Sequence, residues 1–301
     1  MKIARLEEIF RQGKGSAIID VAAALQREQP LATVLTPACV HSEGPHPSLR
    51  DVFAAGHDAV WVEVPGGDSA SEESALREKL RTMVASGVLG KGKSLQVLSP
   101  MRKGDCGSLA LNTDLQALLN PAASGRAEIS RATFEGVRLL RQGDRVMQIA
   151  NNYDPEKAVF NGDQGVVERL QPPETAWVCF QDGRVVSYDG KKELAELEHS
   201  YALSVHKAQG SEFDVVVLVL CRGHSRMMYK RLIYTAVSRA SQRLVILASN
   251  TALGMVNANA LAENNFGEDK RNGAMVERYR TAYDAARAKK TTVQKKQSTG
   301  R

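Results

Sequence analysis

The spacing of apolar positions changes character twice along this chain of 301 residues. In LEEIFRQGKGSAIIDVAAALQREQ, the positions Ile18, Ile19, Ala22, Ala23 and Leu25 or Gln26 follow i, i+3, i+4 spacing, which predicts a turn and then a helix with one buried face. The Pro/His/Gly-rich stretch TPACVHSEGPHPSLRD reads as a loop, and AVWVEV, closed by PGGD, as a short strand. SASEESALREKLRTMVAS places Leu76, Leu80, Met83 and Val84 on one stripe behind an acidic first turn, which predicts a second helix. SLQVLSP follows as an apolar strand stopped by Pro100. This alternation of strand and helix patterns favours a parallel sheet covered by helices.

From about Arg141 to about Glu198 the helical period disappears. GDRVMQI, GDQGVVERL, AWVCFQDG and GRVVSYDG are brief strand patterns separated by N-G, D-G and G-D turn signals, the signature of a small, mostly antiparallel β module. The first pattern then resumes with SYALSVHKAQG, FDVVVLVL, a helix from about Tyr229, and RLVILAS. The expected fold class is α/β: a parallel sheet flanked by helices (1–140 and 199–250), interrupted by an SH3-sized β insertion (141–198). Residues 251–301 lose apolar periodicity and are expected to form a basic, partly disordered tail.

Composition narrows the classes. With 43% hydrophobic and 25% charged residues the chain reads as soluble and globular, and no apolar run approaches the ~18 residues of a membrane span. The start, MKIARLEEIF, lacks the charged-then-apolar order of a signal peptide. Cys39, Cys106, Cys179 and Cys221 are far apart in sequence with no C-x-x-C pair, which argues against a zinc site or a disulfide framework and fits a reduced cytoplasm. The net charge of +6 is a property of the tail: Lys270–Arg301 holds ten Lys/Arg against two Asp/Glu, while the remaining 30 basic and 32 acidic residues leave the body near −2. A solvated extension and a loose nucleic-acid contact both fit such a tail, so total charge alone does not establish nucleic-acid binding.

The string GVLGKGKS, Gly87 to Ser94, satisfies the phosphate-binding pattern G-x-x-x-x-G-K-[ST]. A working phosphate loop follows a strand and opens a helix, so that phosphates meet the helix N-terminus. Here the order is reversed, with a helix running into the glycines and a strand leaving them. Gly87 and Gly90 read as helix-ending glycines, and Lys91 and Lys93 as solvated turn charges. A self-sufficient phosphate-loop enzyme using this string would lose nucleotide binding on Lys93→Ala.

Five stretches carry a family resemblance: FRQ, VLSPMRKGDCGSLALNTDLQALLNP, GDRVMQIANNYDPEKAVFNGDQGVV, SVHKAQGSEFDVVVLVL and YTAVSRASQRLVILAS. In this order, over roughly Leu6 to Ser249, the chain resembles the C-terminal half of RecD-like superfamily 1 DNA helicases, the group that includes the alpha subunit of exodeoxyribonuclease V and the TraI-type enzymes. The tail and the loop between Pro37 and Asp58 have no counterpart in it.

The resemblance implies a second RecA-like domain with an SH3-like insertion. The first such domain, with the true phosphate loop and the Mg²⁺-binding acidic motif, is expected ahead of FRQ. Because FRQ begins nine residues from the start, that domain is expected to be absent from this chain. ATP with Mg²⁺ is then the implied cofactor, bound only when a first RecA-like domain, elsewhere in the protein or on another chain, completes the cleft. Single-stranded DNA is the other implied partner, with 5′ to 3′ movement along it.

By the same resemblance Arg239, in YTAVSRA, is an arginine finger, and Arg11, in FRQ, is a second arginine approaching the same phosphate, with Gln12 beside it. An always-charged guanidinium of this kind stabilises charge spreading over a transferred phosphoryl group; in isolation each is also an ordinary surface arginine. Within VHKAQGSEF, Ser204, His206 and Lys207 are able to donate to a phosphodiester backbone, although a histidine in a strand is often simply packed. Gly210 allows close approach, Glu212 resembles the acceptor for the ribose hydroxyl, and Gln209 the residue coupling the two sites. His206 and Glu212 lack the further ligands a metal would need. Arg102 and Lys103 lie in a Gly-bounded turn that is either a DNA contact or a solvated basic turn, followed by Asn112 and Gln116 on one helix face bordering the groove. Asn151, Asn152, Tyr153, Phe160 and Asn161 form the NNY…VFNGD signature. Tyr153 and Phe160 are able to stack on bases or to fill the module's small core, with Phe160 the better core residue.

The leading expectation is thus the second motor domain of an ATP-dependent DNA helicase, inactive alone. The alternative is a non-catalytic nucleic-acid-binding or interaction module that has lost its ATPase half.

Overall fold

The computed structural model describes residues 15–27, 29–40, 46–89, 95–122, 127–133, 136–154, 157–256 and 258. Arg11, Gln12, the segment Gly90–Ser94 and the basic tail lie outside these residues. The elements below all belong to the first of two compact units, Met1–Asn257.

Six strands form one parallel sheet: β1 (Thr36–Ala38), β2 (Ala59–Glu63), β3 (Leu95–Ser99), β11 (Ala202–Ser204), β12 (Phe213–Leu220) and β13 (Ala240–Ala248). Their order across the sheet is β1-β2-β13-β12-β3-β11, so the last strand lies between the second and the fifth. The unbroken FDVVVLVL of β12 is what a strand covered on both faces requires. Val216, Leu218 and Leu220 face one core together with α1 (Ala17–Arg27) and α6 (Lys230–Val237). Val215, Val217 and Val219 face the other, against α2 (Leu49–Ala54), α3 (Ser69–Ala85) and α4 (Ser108–Leu119). Each fully buried Val or Leu contributes roughly 1.5–3 kcal/mol.

The sequence places α3 correctly, with Leu76, Leu80, Met83 and Val84 all buried. Asp68 caps it, its carboxylate accepting from the Ser71 amide at 2.8 Å. The face of α1 is rotated from expectation: Ile18, Val21, Ala22 and Leu25 form the inner stripe, whereas Ile19 and Ala23 are only partly covered. The stretch read as a Pro/His/Gly loop contains edge strand β1 and the start of helix α2. Pro37 is tolerated there because an edge strand leaves one side unpaired. Ser48 starts α2 by accepting from the Asp51 amide.

The expected β module is present as a second, antiparallel sheet of order β10-β6-β7-β8-β9. Its strands are β6 (Arg145–Gln148), β7 (Gln164–Gln171), β8 (Thr175–Phe180), β9 (Val185–Asp189) and β10 (Leu197–His199), with helix α5 (Gly190–Leu194) between the last two. Its core extends ahead of Arg141: Ile129 and Leu140, from a hairpin of β4 (Glu128–Thr133) and β5 (Gly136–Arg141), pack with Val146, Val167, Val178 and Val186. The hairpin carries Arg131, Arg138 and Arg141, which mask its period in the sequence. At the far end, residues 250–256 are helical and bury Ala252, Leu253 and Val256 against the α1/α6 core. Ordered structure therefore reaches past the expected start of the tail at residue 251.

Candidate functional site

Because the strands of the main sheet run parallel, their amino ends share one edge and their carboxyl ends the other. The expected nucleotide residues gather at the first edge, several of the expected DNA residues at the second.

At the amino edge, Arg239 sits between α6 and β13. The Phe213 amide donates to the Arg239 carbonyl at 2.9 Å, which fixes it beside the start of β12. The residue is 9% exposed, and its guanidinium is bracketed by the protein. Nε donates to the Thr235 carbonyl at 3.1 Å, Nη1 to the Ser211 carbonyl at 2.8 Å and Nη2 to the Ser238 hydroxyl at 3.1 Å. These contacts tie the arginine to the last turn of α6, where a cation complements the helix dipole, and to the Ala208–Phe213 segment. Glu212 is exposed next to this bracket, and Gly210 has φ +93° with open space before it. A shallow cavity of about 340 Å³ runs from Ser211, Glu212 and Phe213 to Gly162 and Asp163 of the β module. The N-terminus of α1, which follows directly on FRQGKG, is held at the same edge: the Ser16 hydroxyl and the Ala17 amide donate to Asp58 at 2.5 and 2.9 Å. An anchored cation, an exposed carboxylate and an open backbone approach fit the ribose and phosphate side of a nucleotide.

At the carboxyl edge, β3 and β11 end in register at Ser99 and Ser204. Arg102 and Lys103 follow β3, Lys103 exposed and Arg102 partly so. Gly107 is required here, because a Cβ on it would meet the Lys103 carbonyl at 2.4 Å and the Arg102 carbonyl at 2.6 Å. This close approach lets the Ser108 and Leu109 amides, at the start of α4, donate to the Met101 and Arg102 carbonyls. His206 is exposed rather than packed, while Ser204 is 8% exposed, which leaves its hydroxyl little access to a strand. Lys207 is half-buried, its Nζ donating to Glu198 at 2.6 Å. Arg102 reaches the same carboxylate, Nη2 to Oε2 at 3.3 Å and Nε to Oε1 at 3.5 Å. Burial alone would raise the Glu198 pKa, but the Lys207 ammonium and then the Arg102 guanidinium bring it below the usual glutamate range.

The connection from Val205 to Glu212 joins the two edges. Val205 and Ala208 are fully buried against the α1/α6 core. The Val205 amide donates to the Ser99 carbonyl at one end, and the Ser211 carbonyl accepts from Arg239 at the other.

The NNY…VFNGD loop presents its aromatics outward. Tyr153 is 74% exposed and Phe160 45%, with their rings edge-on at 5.9 Å. Phe160 is therefore not a core residue; that place is taken by Val159, fully buried and bridged to Asn152. The asparagines brace the loop: Asn152 Oδ1 accepts from the Asp154 amide, Asn151 Oδ1 from the Asn161 amide, and Asn151 Nδ2 donates to the Tyr153 hydroxyl.

Asn112 and Gln116 do share a helix face, but it is turned inward, with exposures of 4% and 8%. Asn112 clamps the backbone of His199 and Ala202, donating to both carbonyls and accepting from the Ala202 amide. Gln116 joins a network that sequence reasoning missed. Its centre is the fully buried carboxylate of Asp144, which accepts from Gln116, Asn120, Tyr201, the Arg141 amide and His199 at 2.6–3.1 Å. Burial holds His199 below its ordinary pKa; for Asp144 burial is the largest single influence and pushes upward, but the bond and charge of His199 together with the Asn120 and Arg141 bonds bring it below the usual carboxylate range. This network locks α4 to the entry and exit strands of the β module. A single buried Asp in GDRVMQI carries no sequence signal for such a role.

Gly87 has φ +65° and follows the last turn of α3, its amide donating to the Val84 carbonyl at 3.2 Å. That is a helix-stopping conformation which glycine adopts without a Cβ penalty. With β3 beginning at Leu95, the helix–turn–strand order is opposite to that of a phosphate loop.

Residues 199–247 match the UvrD-like helicase C-terminal domain, and residues 111–180 match the SH3 domain of ATP-dependent RecD-like DNA helicases. The chain is 40% identical over 235 residues to the ATP-dependent RecD2 DNA helicase of Deinococcus radiodurans, covering 76% of this chain and 30% of that protein. It is 31% identical over 111 residues to the RecBCD enzyme subunit RecD of Mycobacterium tuberculosis, covering 37% of this chain and 19% of the subunit. The chain thus spans less than a third of these relatives' lengths. Among solved structures, Bacteroides Pif1 bound to single-stranded DNA aligns at 16% identity with a TM-score of 0.47, over 88% of this chain and 56% of that one.

Proposed function

We propose that this chain, which carries the C-terminal region of a RecD-type superfamily 1 DNA helicase, supplies one wall of a split ATP site and part of a single-stranded DNA track. The other wall, with the phosphate cradle and the Mg²⁺ ligands, comes from a first RecA-like domain, in the same protein or on another chain. Arg239 serves as the arginine finger, with Arg11 as a second cation beside Gln12. Glu212 accepts from the ribose, and Gly210 admits the nucleotide close to the backbone. Bound ATP with Mg²⁺ supplies the phosphoryl group whose hydrolysis drives closure and opening of the cleft. Arg102, Lys103, His206 and Lys207 hold the DNA backbone, and Tyr153 with Asn152 contacts bases from the β module.

The observation that supports this reading best is the Val205–Glu212 connection. It runs from the basic edge to the nucleotide edge and ends where its Ser211 carbonyl is held by Arg239. One segment thereby links a strand-binding surface to an arginine suited to phosphoryl transfer.

The test is an ATPase assay on the pure chain with and without oligothymidylate, then with a RecA-like domain bearing the phosphate loop added. The chain alone is expected to be inactive and the pair active, with Arg239→Ala reducing turnover by about 10³–10⁵, the range set by arginine fingers. Robust strand-stimulated turnover by the isolated chain would sink the split-site reading. A second reading is favoured by the three bonds that bracket Arg239, since they also suit a structural arginine in a module that binds nucleic acid without ATP chemistry. In that case adding the phosphate-loop domain yields no ATPase, and Arg239→Lys lowers the melting temperature while oligothymidylate binding is unchanged.

A further inference from the structure

Glu198 was not expected to matter at the carboxyl edge. It lies on β10, the strand that closes the β module, and its side chain is only 12% exposed. Yet it is the shared acceptor for Lys207 and Arg102, two cations that arrive from different loops of the main sheet. Those cations remain partly open to solvent, at 27% and 36%. Two convergent donors around one singly charged acceptor with two oxygens is also the arrangement that a phosphodiester asks for. The acceptor present here is a carboxylate of the protein itself.

We infer that Glu198 sets the affinity of the phosphate contact by standing in for the phosphodiester: it holds Lys207 and Arg102 converged when no strand is present, and a backbone phosphate competes with it for them. This inference rests on the proposal that the two cations contact DNA. Its chemistry is a competition between two monoanions for the same donors. Glu198 cancels one of two positive charges, so the site attracts a polyanion weakly enough to release it. A surface that must let a strand slide past needs that property.

The test is anisotropy of a labelled oligothymidylate titrated with wild-type chain, Glu198→Gln, Glu198→Ala, Lys207→Ala and Arg102→Ala across a salt series. Glu198→Gln keeps shape and removes charge. It is expected to bind several-fold more tightly at low salt, with the slope of log K against log salt steeper by about 0.7, the increment for one more phosphate neutralised on a single strand. In the Lys207→Ala background the gain should shrink, as coupling between contacting residues requires. Circular dichroism checks that each variant is folded, and Glu198→Ala replaces the Gln variant if that one is not. If Lys207→Ala and Arg102→Ala leave binding unchanged, the DNA reading of this edge falls. If they weaken binding while neutral Glu198 variants bind no tighter than wild type, the competition falls and the DNA reading stands.

Discussion

Arg239, Tyr153 and His199 show three different fates for a polar side chain in this fold. Arg239 is anchored first and available second, so truncating it removes both a bracket and a cation; Arg239→Lys, which keeps charge but loses the planar fork, separates the two. Tyr153 is exposed, and among the described residues it is propped by Asn151 and the edge of Phe160. Tyr153→Ala should leave the melting temperature within a degree or two and weaken oligothymidylate binding by about 1–3 kcal/mol, the usual worth of a stacked base. An unchanged affinity would remove the aromatic pair from the track. His199 is buried and held below its ordinary pKa. The unfolded chain therefore takes up a proton near pH 6.5 before the folded chain does, and stability is expected to be full above that pH and to fall as pH drops through the window below it. Urea midpoints measured from pH 7.5 to 5.5 should decline for wild type and decline less for His199→Gln.

Elements whose apolar pattern is set by burial alone were legible in the sequence. The helix α3 shows it as one stripe on its buried side, and strands β2, β3 and β12 as unbroken apolar runs covered on both faces. Leu80→Ala, in the middle of the α3 stripe, should cost about 2–5 kcal/mol, as buried leucines do. Elements were missed where something other than apolar spacing holds them. β1 is three residues of an edge strand with a proline in it, α2 is set by its Ser48 cap, and the β4–β5 hairpin alternates arginines with its few core residues. The site divides in the same way. Arg239, His206 and Lys207 could be named as candidates because the motifs around them are long. Glu198, Asp144 and His199 were not, because their importance lies in which distant residues converge on them. The outward turn of Phe160 and the inward turn of Asn112 likewise depend on tertiary neighbours. Gly107→Ala offers a direct check at this scale: the added methyl collides with two carbonyls, so the Arg102–Lys103 turn must open, and binding at the carboxyl edge should fall even if α4 still forms.

At the scale of the whole molecule, β13 decides whether there is one sheet or two. It pairs with β2 on one side and β12 on the other, while β1 and β2 touch no other strand of the sheet. Every early element therefore waits for a late one. During synthesis at 5–20 residues per second, roughly 10–35 s separate the appearance of β2 from that of β13. Throughout that interval β2 presents a bare apolar edge of the kind that recruits other chains, and β12 joins it only shortly before β13 emerges. A chain ending at Ser238 should not be a smaller version of this domain. It should sediment as aggregate, whereas one ending at Asn257 stays soluble, and equal solubility of the two would show that the halves of the sheet persist apart. The β module, inserted between β3 and β11, is made and able to pair its own strands within that same delay. Birth order thus separates the two sheets in a way that the finished fold conceals: the strands of the inserted module are all made before β13, whereas the main sheet closes only around that late strand.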